Sequence, residues 1–293
     1  MILDEILAHK RREVALRRSE RPLHVLEAAI GLSPSETREA RPPSGKLLGA
    51  QEATSQSSRA AAARGAFAEA LRQPGVSVIA EFKRKSPSGG ELRPGASAAD
   101  IARMYLENGA AALSVLTDAA YFGGTDDDLV DARAASGLPV LQKDFVVDTY
   151  QVYEARALGA DAVLLIVRAL SDPELRALLE LTHGLQMEAL VETHSADEVR
   201  RALNAGARVI GVNNRDLDTL QTDVSLAPRL RPLVPAECVF VAESGVSTTE
   251  QIARLLEVGA DAVLVGENLL RAQDPGEQLR RLVVAGSPRG IHA

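Results

Sequence analysis

The sequence predicts an α/β chain folded as a single (β/α)8 barrel with extra N-terminal helices, and three observations carry that prediction. One phrase is written four times: Gly109-Ala-Ala-Ala-Leu-Ser-Val-Leu, Gly159-Ala-Asp-Ala-Val-Leu-Leu-Ile, Gly206-Ala-Arg-Val-Ile-Gly-Val and Gly259-Ala-Asp-Ala-Val-Leu-Val-Gly, with starts 50, 47 and 53 residues apart. Each reads as a helix ended by glycine, a short turn and a β-branched apolar run of strand length. Four more such runs lie around and between them, giving eight buried-type strands that begin near residues 76, 112, 139, 162, 188, 209, 239 and 262. The gaps of 21 to 36 residues each have room for one helix. Parallel strands need such crossovers, and a closed sheet leaves no edge unpaired, which is the TIM barrel architecture. An open doubly wound sheet shows the same alternation, and strand number alone does not separate the two.

Taken in order, residues 1–30 read as helices of their own, with Ile2, Leu3, Ile6 and Leu7 forming an apolar stripe. Lys10-Arg11-Arg12 is expected on the solvated face of that helix. Residues 31–63, rich in Ser, Pro, Arg and Ala, read as a linker leading into a helix over 61–72. The expected division is thus an N-terminal helical extension and linker over 1–65, packed on a barrel over 66–293. Apolar residues recurring at three and four mark helices over 98–108, 149–158, 172–182, 196–205 and 248–258. Ser247-Thr-Thr-Glu250 has the spacing of a capping box for the last of these.

Composition narrows the function classes. The chain has 293 residues, 46% of them hydrophobic, enough for a sizeable core. Its 33 basic and 40 acidic residues give a net charge of −7, and only nine aromatics are present, none of them Trp. A protein that tracks nucleic-acid phosphates or stacks bases is therefore not expected. The single cysteine, Cys238, offers neither an internal disulfide nor a cysteine metal cage and reads as a small buried hydrophobe. No apolar run approaches bilayer length, so no membrane association is expected, and the protein reads as soluble, cytoplasmic and, by default, monomeric.

The working face of such a barrel is the carboxyl end of its strands, which makes the polar residues closing each apolar run the informative ones. The first strand ends Ile79-Ala-Glu81-Phe-Lys83, the third Leu141-Gln-Lys143, the fifth Leu190-Val-Glu192, the sixth Gly211-Val-Asn213-Asn-Arg215 and the seventh Val241-Ala-Glu243-Ser244-Gly245. Alternation points Glu81, Lys83, Lys143, Glu192, Arg215 and Glu243 into one pocket. A single charge at a strand end marks only where the chain meets solvent. Six on the inward register must pair to be buried, and desolvated Lys and Glu suit acid and base work.

Phosphate capture has its expected address after strands seven and eight, where Ser244-Gly245 and Gly266-Glu267-Asn268 precede helices. The same glycines also fit plain turns. Ser86-Pro-Ser-Gly-Gly90 is a loop beside Lys83 suited to a lid. In Lys83-Arg-Lys85 alternation splits the charges across two faces. His194, two residues past Glu192, reads as a loop histidine with possible reach to substrate. His9, His24, His183, His194 and His292 are scattered, with no HExxH spacing, so no metal site is expected. No GxSxG elbow, Walker loop or GxGxxG after a strand is present.

At these residues the sequence resembles the indole-3-glycerol phosphate synthases. The resemblance rests on Ile79-Ala-Glu-Phe-Lys-Arg-Lys-Ser-Pro-Ser88, Leu116-Thr-Asp with Tyr121-Phe-Gly-Gly, Pro139-Val-Leu-Gln-Lys-Asp-Phe145, Leu190-Val-Glu-Thr-His194, Gly211-Val-Asn-Asn-Arg-Asp-Leu217, Ala242-Glu-Ser-Gly245 and Leu264-Val-Gly-Glu267. It spans 1–30 and about 66–285 in order, departing in the long Ser- and Ala-rich segment before the first strand. It implies ring closure of a carboxyphenylamino-deoxyribulose phosphate with loss of carbon dioxide and water, without a cofactor. It further implies Lys143 as the acid at the carbonyl oxygen and Glu192 as the base in dehydration. Lys83, with Glu81 beside it, would hold the anionic substrate and stand as a second proton donor, the resemblance leaving open which lysine is the acid at which step, and Asn213, Arg215 and Glu243 would orient it. Ser86, Ser244, Gly245, Gly266 and Glu267 match phosphate-loop or nearby positions, and Phe122, Phe145 and Leu217 would wall the aromatic ring. Two rival readings stand beside it: a lyase using Lys143 or Lys83 as a Schiff-base nucleophile, and a barrel that only binds a phosphorylated ligand or a partner.

Overall fold

The structure, a computed structural model, describes residues 2–32, 65–86 and 90–287. Eight parallel strands run over Ser77–Phe82, Ala112–Leu116, Val140–Lys143, Ala162–Ile166, Glu188–Thr193, Val209–Asn213, Val239–Glu243 and Ala262–Val265. Each pairs with its sequence neighbour, and the eighth returns to the first through Ser77↔Ala262 to Ala80↔Val265. That last pairing decides against an open sheet: the barrel is closed.

Alternation along the strands separates two cores. Residues facing inward, among them Ile79, Ala112, Leu141, Leu190, Val209, Val239 and Leu264, fill the barrel interior. Outward residues such as Val78, Val115, Val163, Val191 and Phe240 pack under the surrounding helices. Below the interior sits the short helix Ala66–Leu71, whose fully buried Phe67 and Leu71 close the amino end of the barrel. With its floor filled, the barrel can receive a ligand only at the other end.

The helices fall where the apolar periodicity puts them, at Ala98–Glu107, Thr149–Leu158, Asp172–Gly184, Ala196–Ala205 and Thr249–Glu257. Two details differ from expectation. The capping box of the last of these is Thr248 with Gln251, not Ser247 with Glu250. The Gln251 N–H donates to Thr248 Oγ1 at 3.3 Å while Gln251 Oε1 accepts the Thr248 N–H at 3.1 Å. Ser247 still belongs to the loop leaving the seventh strand, where its N–H also reaches Gln251 Oε1.

The second difference is Lys10. The extension contributes Ile2–Glu20 and Leu23–Ala29, and the buried residues of the longer helix are Leu3, Ile6, Leu7, Lys10 and Val14. Lys10 was expected in solvent; instead it is completely buried. Its Nζ lies 2.9 Å from each of Asp118 Oδ2, Asp144 Oδ1 and Glu13 Oε2. Arg11 and Arg12 are exposed. The reason is helical phase: Lys10 follows Ile6 and Leu7 by four and three residues, on the stripe that faces the barrel. The linker reading over 33–63 and the centre of the lid loop, Pro87–Gly89, lie outside the described residues. No helix among the described residues is long and apolar enough to cross a membrane.

Candidate active site

At the carboxyl ends of the strands lies a cavity of about 480 Å³, well within the range of small-molecule sites. Glu81, Lys83, Lys143, Glu192, Asn213, Arg215 and Glu243 all line it. So do Ser86, Phe122, Phe145, Leu217, Ser244, Gly245, Gly266 and Glu267.

On its floor the charges pair. Lys143 Nζ donates to Glu243 Oε2 at 2.6 Å and stands 3.5 Å from Glu192 Oε2. Lys83 Nζ donates to Glu81 Oε1 at 2.8 Å, and the Ser114 hydroxyl reaches Glu81 Oε2 at 3.4 Å. Burial works against the charge on Lys143, but Glu243, Glu192 and Glu81 outweigh it and hold the amine protonated beyond its ordinary range. Burial pushes Glu243 the other way, up to about 7 with Glu192 adding to the shift, against the pull of Lys143. Glu81 is also buried, yet Lys83 and Lys143 outweigh burial and keep it below its usual range. The floor therefore offers a firmly charged ammonium beside a carboxyl that can carry a proton near neutrality.

Two glycines create the room. A Cβ on Gly211 would overlap Glu243 Oε1, and one on Gly266 would overlap Glu81 Oε1. Any larger residue would make a carboxylate shift. Gly211 was not singled out from the sequence, although a glycine inside a β-branched strand is itself a signal of close approach.

The rim is built from loops. Asn213 Oδ1 accepts the Arg215 N–H at 3.0 Å, turning the chain so that Arg215 reaches the mouth. Ser244 adopts a left-handed conformation with φ 63°, followed by Gly245 at φ 80°. A non-glycine residue held there is costly, and such strain gathers where backbone groups must be aimed. Ser86 donates to Glu267 Oε2 at 3.3 Å, joining the loop after the first strand to the one after the eighth. On either side of 87–89, Lys85–Ser86 and Gly90–Glu91 pair antiparallel. Arg84 turns outward to Asp128, as alternation requires, while Lys85 donates to the Ala120 carbonyl.

One side of the cavity is apolar. Phe122 and Phe145 lie 6.3 Å apart, tilted by 35°, and Leu217, like Phe145, packs against the interior core. Asp118 caps the short helix carrying Phe122 by accepting the Tyr121 N–H, and Asp144 accepts the Phe145 N–H, both at 2.7 Å. Lys10 clamps these two acids together. Ile2, Leu3 and Ile6 of the same helix also line the cavity; their apolar stripe was legible, its destination was not. His194, read first as a loop histidine without a role and only second as a substrate contact, does not line the cavity and stands behind Glu192. Among the described residues no cluster of three or more His, Cys, Asp or Glu is placed to hold a metal ion.

Comparison with known proteins follows the same lines. The family model for indole-3-glycerol phosphate synthase matches residues 44–282. Indole-3-glycerol phosphate synthase 2 of Streptomyces coelicolor is 56% identical over 217 residues, covering 74% of this chain and 84% of its own. The Kineococcus radiotolerans enzyme is 52% identical over 221 residues, with 75% and 81% covered. That of Lachnoclostridium phytofermentans is 47% identical over 216 residues, with 74% and 80% covered. Among solved structures, thiamine phosphate pyrophosphorylase from Pyrococcus furiosus aligns with a TM-score of 0.55 at 16% identity, over 76% of this chain and all of its own. That likeness speaks for the barrel fold alone.

Proposed function

The chain belongs to the indole-3-glycerol phosphate synthase family, carboxy-lyases of tryptophan biosynthesis, and from that premise we propose that Lys143 is the acid and Glu192 the base of its ring closure. The observation that carries this reading is the position of Lys143, its ammonium 2.6 Å from Glu243 and 3.5 Å from Glu192 on the floor of the cavity at the carboxyl ends of the strands.

The chemistry fits the groups. When the carboxylate-bearing ring carbon attacks the sugar-derived ketone, negative charge develops on the carbonyl oxygen, and the Lys143 ammonium donates a proton to make it a hydroxyl. Loss of carbon dioxide returns the bonding pair to the ring and restores its aromaticity. The hydroxyl then takes a second proton from a cavity ammonium, Lys83 or the reprotonated Lys143, and leaves as water, while Glu192 takes the C–H proton lost as the new double bond forms. Lys83, steadied by Glu81, holds the anionic substrate. Asn213, Arg215 and Glu243 orient it, and Glu243, able to carry a proton near neutrality, relieves the repulsion an anionic ligand would otherwise meet.

Ser244, Gly245, Gly266, Glu267 and Ser86 form the phosphate end, and Phe122, Phe145 and Leu217 the aromatic end. The same reading takes the substrate as the only small molecule required and the enzyme as cytoplasmic and monomeric. It divides the chain into an extension over 1–65 and the barrel over 66–293. A Schiff-base mechanism at Lys143 or Lys83 is the rival. Borohydride reduction in the presence of substrate, followed by intact-mass spectrometry, separates them: unmodified protein is expected, and an adduct on either lysine overturns the acid role.

A further inference from the structure

We propose that His194 is a positioning residue for Glu192: its imidazolium grips one carboxylate oxygen from behind, leaving the other turned toward Lys143 and the cavity. The proposal rests on the reading of Glu192 as the base.

The fifth barrel strand ends at Thr193, so residues 192 and 194 share a side while Thr193 turns away and donates to the Gly211 carbonyl. The His194 ring lies between two acids. Its Nε2 is 3.5 Å from Glu192 Oε1 and its Nδ1 is 3.4 Å from Glu198 Oε2. Ring and Glu192 side chain are each 3% exposed. Neither Nε2 nor Oε1 has a hydrogen-bond partner among the described residues, and each is the other's neighbour at 3.5 Å. Carboxylates only accept, so a ring with one at each nitrogen is satisfied only when both nitrogens carry a proton.

The surrounding charges agree with that assignment. Glu198, on the helix Ala196–Ala205, also accepts the His194 backbone N–H at 2.8 Å and is capped by Ser195. Behind Glu198 stands Arg168 at 3.4 Å, itself shared with Asp216 and Asp218. Beyond Glu192 stand Lys143 and Glu243. Burial disfavours charge on the ring and Arg168 opposes it, but Glu198 and Glu192 prevail and raise the histidine above its ordinary range. Without His194, Glu192 and Glu243 would share the single ammonium of Lys143. One of the two would then take a proton more readily, and Glu192 would be free to swing away from the cavity.

The test uses two amides that reach different ring positions. His194→Asn can replace Nδ1 toward Glu198 but leaves nothing at Nε2, whereas His194→Gln can reach toward Glu192 without the charge. The Asn variant should lose about tenfold or more in kcat, as for a misplaced catalytic group, with KM held within about twofold because His194 lies outside the cavity. The acid limb of its kcat profile should move to higher pH. The Gln variant should recover part of kcat but not the pH limb. In a Glu192→Gln background, His194→Asn should cost nothing further.

Wild-type kcat in His194→Asn, a loss confined to KM, or full additivity with Glu192→Gln overturns the proposal. Wild-type kcat in Glu192→Gln alone overturns the base reading on which it stands. If His194→Asn does not fold, Glu198→Gln serves instead: the same movement of the acid limb supports the proposal and an unmoved profile refutes it.

Discussion

Replacing Lys10 with methionine keeps the bulk of a buried side chain and deletes its charge. Lys10 and Asp118 are completely buried and Asp144 is 4% exposed, with both acids 2.9 Å from the ammonium. Removing one partner of a buried ion pair costs about 3–5 kcal/mol, because the remaining charge is left without compensation. The second acid does not double that figure. Burial already holds Asp144 above its usual range, so it takes up a proton once Lys10 is gone. Asp144 in the variant then has a folded-state value raised above its unfolded one, so the stability deficit is largest at neutral pH and shrinks as pH falls toward the carboxylate range. Guanidinium titrations at pH 7 and pH 4.5 measure both quantities. Lys10→Met combined with Asp118→Asn and Asp144→Asn should recover more than half of the loss, since no buried charge is left over. A deficit at pH 7 of less than about 1 kcal/mol, the value of an exposed pair, would refute the claim that this cation is sealed beneath the first helix.

Other expectations follow from the same geometry. Gly211→Ala makes Glu243 shift beside Lys143, so kcat/KM should fall about a hundredfold or more; steady-state rates near wild type would mean that Glu243 has room to move. Phe122→Ala and Phe145→Ala should each raise KM several-fold with a smaller effect on kcat, and unchanged KM values would remove them from the aromatic wall. Glu154, held up to about 7 chiefly by burial despite Arg17, contributes stability that is present below pH 4.5 and is lost as pH rises through about 7. In thermal melts Glu154→Gln should therefore gain on the wild type between pH 5 and pH 8. Parallel pH curves for the two proteins would contradict that account.

The barrel was legible because its pattern repeats. Four glycine-terminated helices each followed by a β-branched run, at near-constant intervals, leave little choice of architecture, and alternation then decides which strand-end residues face inward. Closure was the expected arrangement although strand number alone does not exclude an open sheet, and the pairing of Ser77 with Ala262, in the chain's first and last strands, bears it out. Lys10 was misread because a lysine on an apolar stripe looks like a snorkelling surface residue until Asp118 and Asp144, more than a hundred positions away, are seen beneath it. Its phase with Ile6 and Leu7 was the available clue. The capping box shifted by one residue because the box spacing suits both Ser247 with Glu250 and Thr248 with Gln251, and only the loop's exit from the seventh strand chooses between them. His194 could not be placed from sequence: whether a residue just past a strand end lines a cavity or braces a neighbour depends on the helix that packs over it, here through Glu198.

The most direct test of the acid and base assignment is single-turnover formation of the indole product from 1-(2-carboxyphenylamino)-1-deoxyribulose 5-phosphate, followed by its fluorescence. The protein contains no tryptophan to obscure that signal. The account predicts rapid turnover by the wild type and a loss of about a thousandfold in both Lys143→Ala and Glu192→Gln, while each variant still binds substrate in a direct titration. Turnover within tenfold of the wild type by either variant would contradict it.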